Sequence, residues 1–161
     1  MLHVAPERSL AKRFKKTFEY ISIDLDGSRA MEAGDITDLR FPDNHFDCII
    51  CNHVLEHVPE DKKAMAELFR VLKPGGWASL QVPIKLESET TDEDPGANAA
   101  ERERRFGQHD HVRVYGLDYL KRLTTAGFEV KMLTWRDFLT EAEARQHVAF
   151  AADEMIFTWK P

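Results

Sequence analysis

Apolar residues recur along this chain in two rhythms: short continuous runs that suit buried strands, and spacings of three and four that suit helices. Leu2–Ala5 reads as a strand, and Ser9–Lys16 as a helix with Leu10 and Phe14 four apart on one face. Tyr20–Leu25 is a second strand. The stretch Gly27–Ala33 is too short for a full crossover helix and leads into a third strand ending near Asp35. Phe46–Asn52 is almost wholly apolar, as expected of a strand buried on both faces. Pro59–Lys73 is predicted as a helix. Pro59 suits its first turn, Glu60 and Asp61 its positive end, and Met65, Leu68, Phe69 and Leu72 form its buried stripe. Pro74-Gly75-Gly76 ends it, and Trp77–Val82 is the next strand. Gly116–Ala126 is a helix with Leu117, Leu120 and Leu123 inward and Gly127 as its stop. Phe128–Leu133 is a strand. Asp153–Trp159 is a closing strand in which Met155, Phe157 and Trp159 alternate.

Strands alternating with helices predict a doubly wound, Rossmann-like α/β fold, a mostly parallel sheet covered on both faces. The rhythm breaks over residues 85–111, which are polar and acidic at first (Glu87, Glu89, Asp92, Glu93, Asp94) and then carry the mixed charges of Glu101–Arg105. A connection this long in a compact domain is expected to be an insertion or lid. The 161 residues otherwise read as a single domain spanning 1–161.

The net charge of -6 argues against binding along a phosphate backbone, so no nucleic-acid partner is expected. No run approaches the roughly 20 apolar residues of a membrane span, and no signal core follows Met1, so a cytoplasmic protein without a membrane partner is expected. Cys48 and Cys51 stand three apart in a strand and therefore point to opposite faces. They are expected to be buried thiols, neither a disulfide nor a zinc pair.

In open α/β sheets, ligands bind outside the carboxyl ends of the strands. This chain places Ala5-Pro6-Glu7 after the first strand, Asp24 at the second, Asp35-Ile36 after the third and Asn52-His53 after the fourth. Asp24 lies about 18 residues beyond the first turn, close to the spacing at which a carboxylate accepts from both hydroxyls of a ribose. Asp35 can accept from an adenine amine while Ile36 packs against the ring. Each acid also suits an ordinary turn.

The run Gly34-Asp35-Ile36-Thr37-Asp38-Leu39-Arg40-Phe41-Pro42-Asp43-Asn44-His45-Phe46-Asp47, with His53-Val54-Leu55-Glu56-His57 and Leu72-Lys73-Pro74-Gly75-Gly76, closely resembles the type 11 class I S-adenosylmethionine-dependent methyltransferases. The resemblance is tight over about Asp24–Pro83, with Gly116–Phe128 similar to the family's later helix. It implies a sheet of about seven strands with the last one antiparallel. It also implies S-adenosyl-L-methionine as cofactor, S-adenosyl-L-homocysteine as product, and methyl transfer to a small-molecule acceptor on oxygen, nitrogen or carbon by direct in-line displacement. Carried over residue by residue, it assigns Asp24 to the ribose, Asp35 and Ile36 to the adenine, and Asn52 and His53 to the methionine end.

The family's first turn is rich in glycine, whereas this chain has His3-Val4-Ala5-Pro6-Glu7. His3, Ala5, Pro6 and Glu7 are therefore the expected counterparts at the methionine end, with Glu7 facing a cationic amino group. The chain also starts at strand one and reads as a minimal version lacking the family's N-terminal helices. That departure keeps open a second reading, a non-catalytic cofactor-binding or interaction module. A third pattern, His53-x-x-Glu56-His57, matches an inverted zinc-peptidase motif. That chemistry needs both histidines on one helix face, while Val58 before Pro59 favours extended backbone, so no metal is expected. In the insertion, His109 and His111 are candidate general bases, and Arg105 and Arg113 are candidates to grip an anionic substrate. Oligomeric state is left open.

Overall fold

A computed structural model describes residues 1–134, 137, 140 and 155–161. Its elements are β1 (Leu2–Val4), α1 (Arg8–Thr17), β2 (Ile21–Asp24), β3 (Glu32–Ala33), β4 (Phe46–Ile50), α2 (Asp61–Val71) and β5 (Leu72–Ser79). These are followed by β6 (Asp92–Glu93), α3 (Ala99–Phe106), β7 (Arg113–Val114), α4 (Asp118–Thr125), β8 (Glu129–Leu133) and β9 (Met155–Trp159). Seven strands form one sheet in the order β3-β2-β1-β4-β5-β9-β8, while β6 and β7 pair separately. β1 through β5 run parallel, and β9 enters antiparallel between β5 and β8. The doubly wound sheet with its antiparallel strand is the expected fold. Asp153, at the predicted start of the closing strand, lies outside the described residues.

The two faces of the sheet are packed unequally. On one, α2 and α4 bury Met65, Leu68, Tyr119 and Leu123 against Leu2, Ile23, Ile49 and Ile156, the main core. On the other, α1 supplies Ala11 and Phe14 to a small cluster of Met1, Tyr20, Cys48 and Ile50. Cys48 and Cys51 fall in different clusters, on opposite faces as their spacing required, and both are free thiols. Burial pushes both thiols above the usual range, which makes them unreactive.

Around the second helix the boundaries differ from the sequence reading, with β5 beginning earlier and ending at Ser79. The second helix ends at Val71, and pairing resumes at once, with Leu72 opposite Phe46. Pro74-Gly75-Gly76 thus lies inside β5, where the register shifts before Trp77 aligns with Cys48. Gly76 is needed there, because a Cβ would sit 2.8 Å from the carbonyl oxygen of Lys73 and 2.9 Å from that of Asp47. In β9 the alternation holds, but the buried phase is Ile156 and Thr158. The aromatic phase stacks on the α1 side of the sheet, with Phe157 6.1 Å from Trp77 and 5.9 Å from Trp159 between ring centroids. Period-two patterning fixes which residues share a face; the partner helices decide which face is covered. In α4, which is shorter than the predicted Gly116–Ala126, Tyr119 is buried outright beside Leu123, while Leu120 and the preceding Leu117 are only half-buried.

The polar insertion is tied to the body of the domain. β6 pairs antiparallel with β7. Arg105 on α3 bonds both Asp92 and Asp94, Thr91 donates to Asp118 at 2.6 Å, and the Val112 N–H donates to the carbonyl of Glu56 at 2.9 Å.

Candidate functional site

A cleft of about 340 Å³ opens where β1, β2, β3 and β4 reach their carboxyl ends. Each strand contributes: Ala5 after β1, Asp24 and Leu25 at β2, Asp35 and Ile36 after β3, His53 and Val54 after β4. His57 and Asp110 close its far side, and Arg29 lies at the β2 loop.

Local chemistry aims the two acids. The N–H of Asp26 donates to Asp24 Oδ1 at 2.9 Å, turning the chain at the end of β2. Both the N–H and the hydroxyl of Thr37 donate to Asp35 Oδ1 at 2.8 Å. In each acid one oxygen builds the turn and the Oδ2 oxygen takes no part in it. The turn reading and the ligand reading are therefore compatible rather than competing. The first turn, which lacks glycine, nevertheless takes a glycine-like shape: Ala5 has φ +45°, with its N–H bonded to the carbonyl of Ile23 at 2.8 Å. A methyl group in left-handed backbone costs roughly 1–2 kcal/mol. The same conformation occurs at His53, with φ +54°.

Other candidates are placed elsewhere. His3 is fully buried on the α1 side of β1, where its Nε2–H donates to Glu7 Oε2 at 2.7 Å and its Nδ1 accepts from the Tyr20 hydroxyl at 3.1 Å. Glu7 thus stands at the start of α1 with its carboxylate turned to His3, and neither residue lines the cleft. Pro6 follows Ala5 in the turn without lining the cleft. Asn52 is a clip between strand ends, accepting from the Ser79 hydroxyl at 2.9 Å and the Gln81 N–H at 3.3 Å.

The insertion residues are corrected most. Arg113 is 1% exposed. Its guanidinium donates to the carbonyls of Leu55 (2.9 Å), Val58 and Pro59 (2.9 Å) and to Glu93 Oε2 (3.1 Å), so every side of it is engaged and none is left for a substrate. Arg105 is held by Asp92 and Asp94 within the insertion. His109 is exposed and does not line the cleft. His111 is buried, with its Nδ1–H donating to the carbonyl of Phe106 at 3.0 Å. The zinc-peptidase pattern is not helical: Leu55–His57 is a single 3-10 turn, and His53 lies before it with its side chain 66% exposed.

Sequence reasoning missed Arg29 and Asp110 as cleft residues and considered His57 only as a zinc ligand. Arg29 stands next to the predicted strand end at Asp24, a position from which it could have been inferred. Asp110 reaches the cleft only because the insertion folds back on the turn after β4, which no local pattern signals.

Residues 6–80 match the family model described as a methyltransferase domain. A 38-residue stretch is 58% identical to the ubiquinone/menaquinone biosynthesis C-methyltransferases of Yersinia enterocolitica and Yersinia pestis, taking in 24% of this chain and 15% of those proteins. Over residues 6–80 the chain is thus similar to methyltransferase domains, and it spans only a small part of the curated relatives it matches. Solved structures agree in fold. The YcgJ protein of Bacillus subtilis superposes with a TM-score of 0.65 at 19% identity, covering 99% of this chain and 90% of that one. An S-adenosylmethionine-dependent methyltransferase of Archaeoglobus fulgidus gives 0.63 at 14% identity, covering 99% and 85%. A Haemonchus contortus phosphoethanolamine N-methyltransferase, solved with S-adenosylhomocysteine, gives 0.58 at 13% identity, covering 100% and 48%.

The chemistry of the cleft fits S-adenosylmethionine, the cofactor of the proteins it resembles. Two carboxylates with an oxygen apiece outside the turns, the apolar walls of Ile36 and Val54, and a close-approaching main chain at Ala5 suit a nucleoside bearing a short zwitterionic tail. No phosphate cradle is present at the first turn, and this cofactor has no phosphate. Among the described residues, no helix is long and apolar enough to cross a membrane.

Proposed function

We propose that this protein transfers a methyl group from S-adenosylmethionine to a small-molecule acceptor, with Asp24 and Asp35 as the residues that hold the nucleoside. The observation that carries the reading is the pair of carboxylates at consecutive strand ends, each with one oxygen in its own turn and both lining one cleft together with Ile36. Asp24 would accept from the ribose hydroxyls and Asp35 from the adenine amine. The main chain at Ala5 and His53, both left-handed, would line the methionine portion.

When bound, the cofactor supplies an electrophilic methyl carbon on a sulfonium, so the protein's task is to position the acceptor in line. A proton must be removed only where the acceptor retains one. Of the cleft histidines, His53 is the better placed to take it: its ring is mostly exposed, with Nδ1 3.4 Å from Glu56 Oε1. Arg29, with its side chain 73% exposed at the cleft and paired there with the exposed Asp26 at 3.4 Å, is the cleft-lining cation that an anionic acceptor would meet, in place of Arg105 and Arg113.

The test is calorimetric titration with S-adenosylmethionine and S-adenosylhomocysteine, followed by an acceptor screen that reads homocysteine-product formation. Micromolar binding is expected. Asp24→Ala should weaken it about 10–100-fold, the loss of a charge-assisted hydrogen-bond pair. Folded protein that binds neither compound, or Asp24→Ala with unchanged affinity, overturns the assignment.

A further inference from the structure

Beside the cleft lies a cluster whose polar atoms lack partners. Glu56 is 1% exposed and His111 is 4% exposed, yet neither Glu56 Oε2 nor His111 Nε2 has a hydrogen-bond partner. Leaving such groups unpaired costs roughly 1–3 kcal/mol each, so their convergence calls for a ligand. They share the place with His57: one ligand atom from each of Glu56, His57 and His111 lies within 4.8 Å of the other two. The His57 and His111 rings meet edge to face, 4.7 Å apart between centroids.

One nitrogen of each ring already has a neighbour. His111 Nδ1–H donates to the Phe106 carbonyl, so in the neutral ring Nε2 is the nitrogen that presents a lone pair. His57 Nδ1 is 3.4 Å from Asp110 Oδ2. A carbonyl or carboxylate on the second nitrogen is the usual outer support of a metal-binding imidazole. The backbone bond from Val112 N–H to the Glu56 carbonyl fixes His111 beside Glu56.

We propose that Glu56, His57 and His111 form a binding site for one divalent transition-metal cation of the zinc type. Two imidazoles and one carboxylate suit zinc, and also cobalt or ferrous iron, whereas magnesium and calcium prefer all-oxygen sites. An ion about 2.0–2.2 Å from each ligand would hold them about 3.4 Å apart, so binding draws the three inward by around an ångström. His57, whose side chain is 32% exposed on the cleft wall, is the arm free to move and the route of entry. The set differs from the inverted zinc-peptidase pattern, because His111 takes the place of the exposed His53. Metal binding is read directly, so this inference stands or falls apart from the methyl-transfer reading.

The experiment uses the metal-stripped full chain, titrated with zinc chloride by calorimetry and with cobalt(II) by visible absorption, with magnesium as control. Expected are one zinc ion per chain, cobalt bands of a low-coordinate site, and no response to magnesium. Glu56→Gln and His57→Ala should each weaken zinc binding about 100-fold or more while the far-UV spectrum is retained. His109→Ala, a histidine outside the cluster, should bind as the parent does. His57 is half-exposed, so its substitution keeps the test informative even where a His111 variant fails to fold. No stoichiometric binding by folded protein, or stoichiometric binding that either substitution leaves unchanged, overturns the site.

Discussion

Two buried polar clusters flank the turn after β4, and they differ in one respect that separates scaffold from site. The first joins Asp61, Glu93, Arg113, Tyr115 and Arg122. Arg122 bonds Asp61 at 2.9 Å and Glu93 at 3.0 Å, Tyr115 donates to Asp61 at 2.9 Å, and Arg113 is engaged by three carbonyls and Glu93. The second, Glu56, His57 and His111, leaves two buried polar atoms without any partner. Both join the stretch after β4 to the stretch around β7, the first reaching β6 and α4 as well, and both bury ionisable groups. Burial of charge therefore does not by itself separate the two; on our proposal, the convergence of unsatisfied atoms does. A completed network is a clamp that fixes the insertion to the core, and an incomplete one is a place for something not supplied by the chain.

The sharpest way to break this comparison is Arg113→Ala. It strips three carbonyls and Glu93 of their donor at once, and a loss of roughly 3–5 kcal/mol is expected, about ten degrees in melting temperature. A loss below 1 kcal/mol in denaturant titration would show that Arg113 is not the clamp. Tyr115→Phe removes only the hydroxyl that donates to Asp61, and a loss of roughly 1.5–3 kcal/mol is expected from the same titration.

Acid should loosen the first cluster as well. Arg122 holds the Glu93 carboxyl below the usual glutamate value of 4.5, with burial opposing and Arg113 assisting. A depressed folded-state value means that this contribution is complete above pH 4.5 and fades as pH falls through the lower folded value. Unfolding measured from pH 6 to pH 3 should therefore show stability falling below about pH 4.5. Glu93→Gln should flatten that fall; an unchanged slope would remove Glu93 from the account.

The smallest effect belongs to the second cluster. In metal-free protein, Glu56→Gln should leave stability unchanged or raise it by up to about 1 kcal/mol, because the new amide can donate to His111 Nε2 and an unpaired carboxylate oxygen is removed. A loss of 2 kcal/mol or more would place Glu56 among the clamps and erase the contrast.

The same contrast describes what could be read in advance. The fold was legible because its signals are local: the apolar run Phe46–Ile50 sets a doubly buried strand, and Met65 and Leu68 set one helix face. Asp24 and Asp35 were legible because a strand end is a fixed place in an open sheet, so a residue type at that place carries meaning by itself. Arg113 and His111 were misread because an arginine or histidine in a polar run looks alike whether it faces a substrate or three carbonyls. The carbonyls that hold Arg113 stand 54 to 58 residues away, at Pro59 and Leu55, and His111 meets His57 and Glu56 only through the same fold-back.

By itself, then, the sequence determined the order of elements, the doubly wound sheet and the faces of its two cysteines through periods of two and of three to four residues, and it placed two acids at the strand ends that line the cleft. Only the tertiary structure decided the rest. It left the aromatic phase of β9 on the face that α1 shares, and it took up Glu7 with His3. It also turned Arg113 into a brace and brought His57, Asp110 and His111 together beside Glu56. The physical reason is that periodicity fixes a side chain's direction within its own element, whereas hydrogen-bond satisfaction depends on which distant segment comes to rest against it.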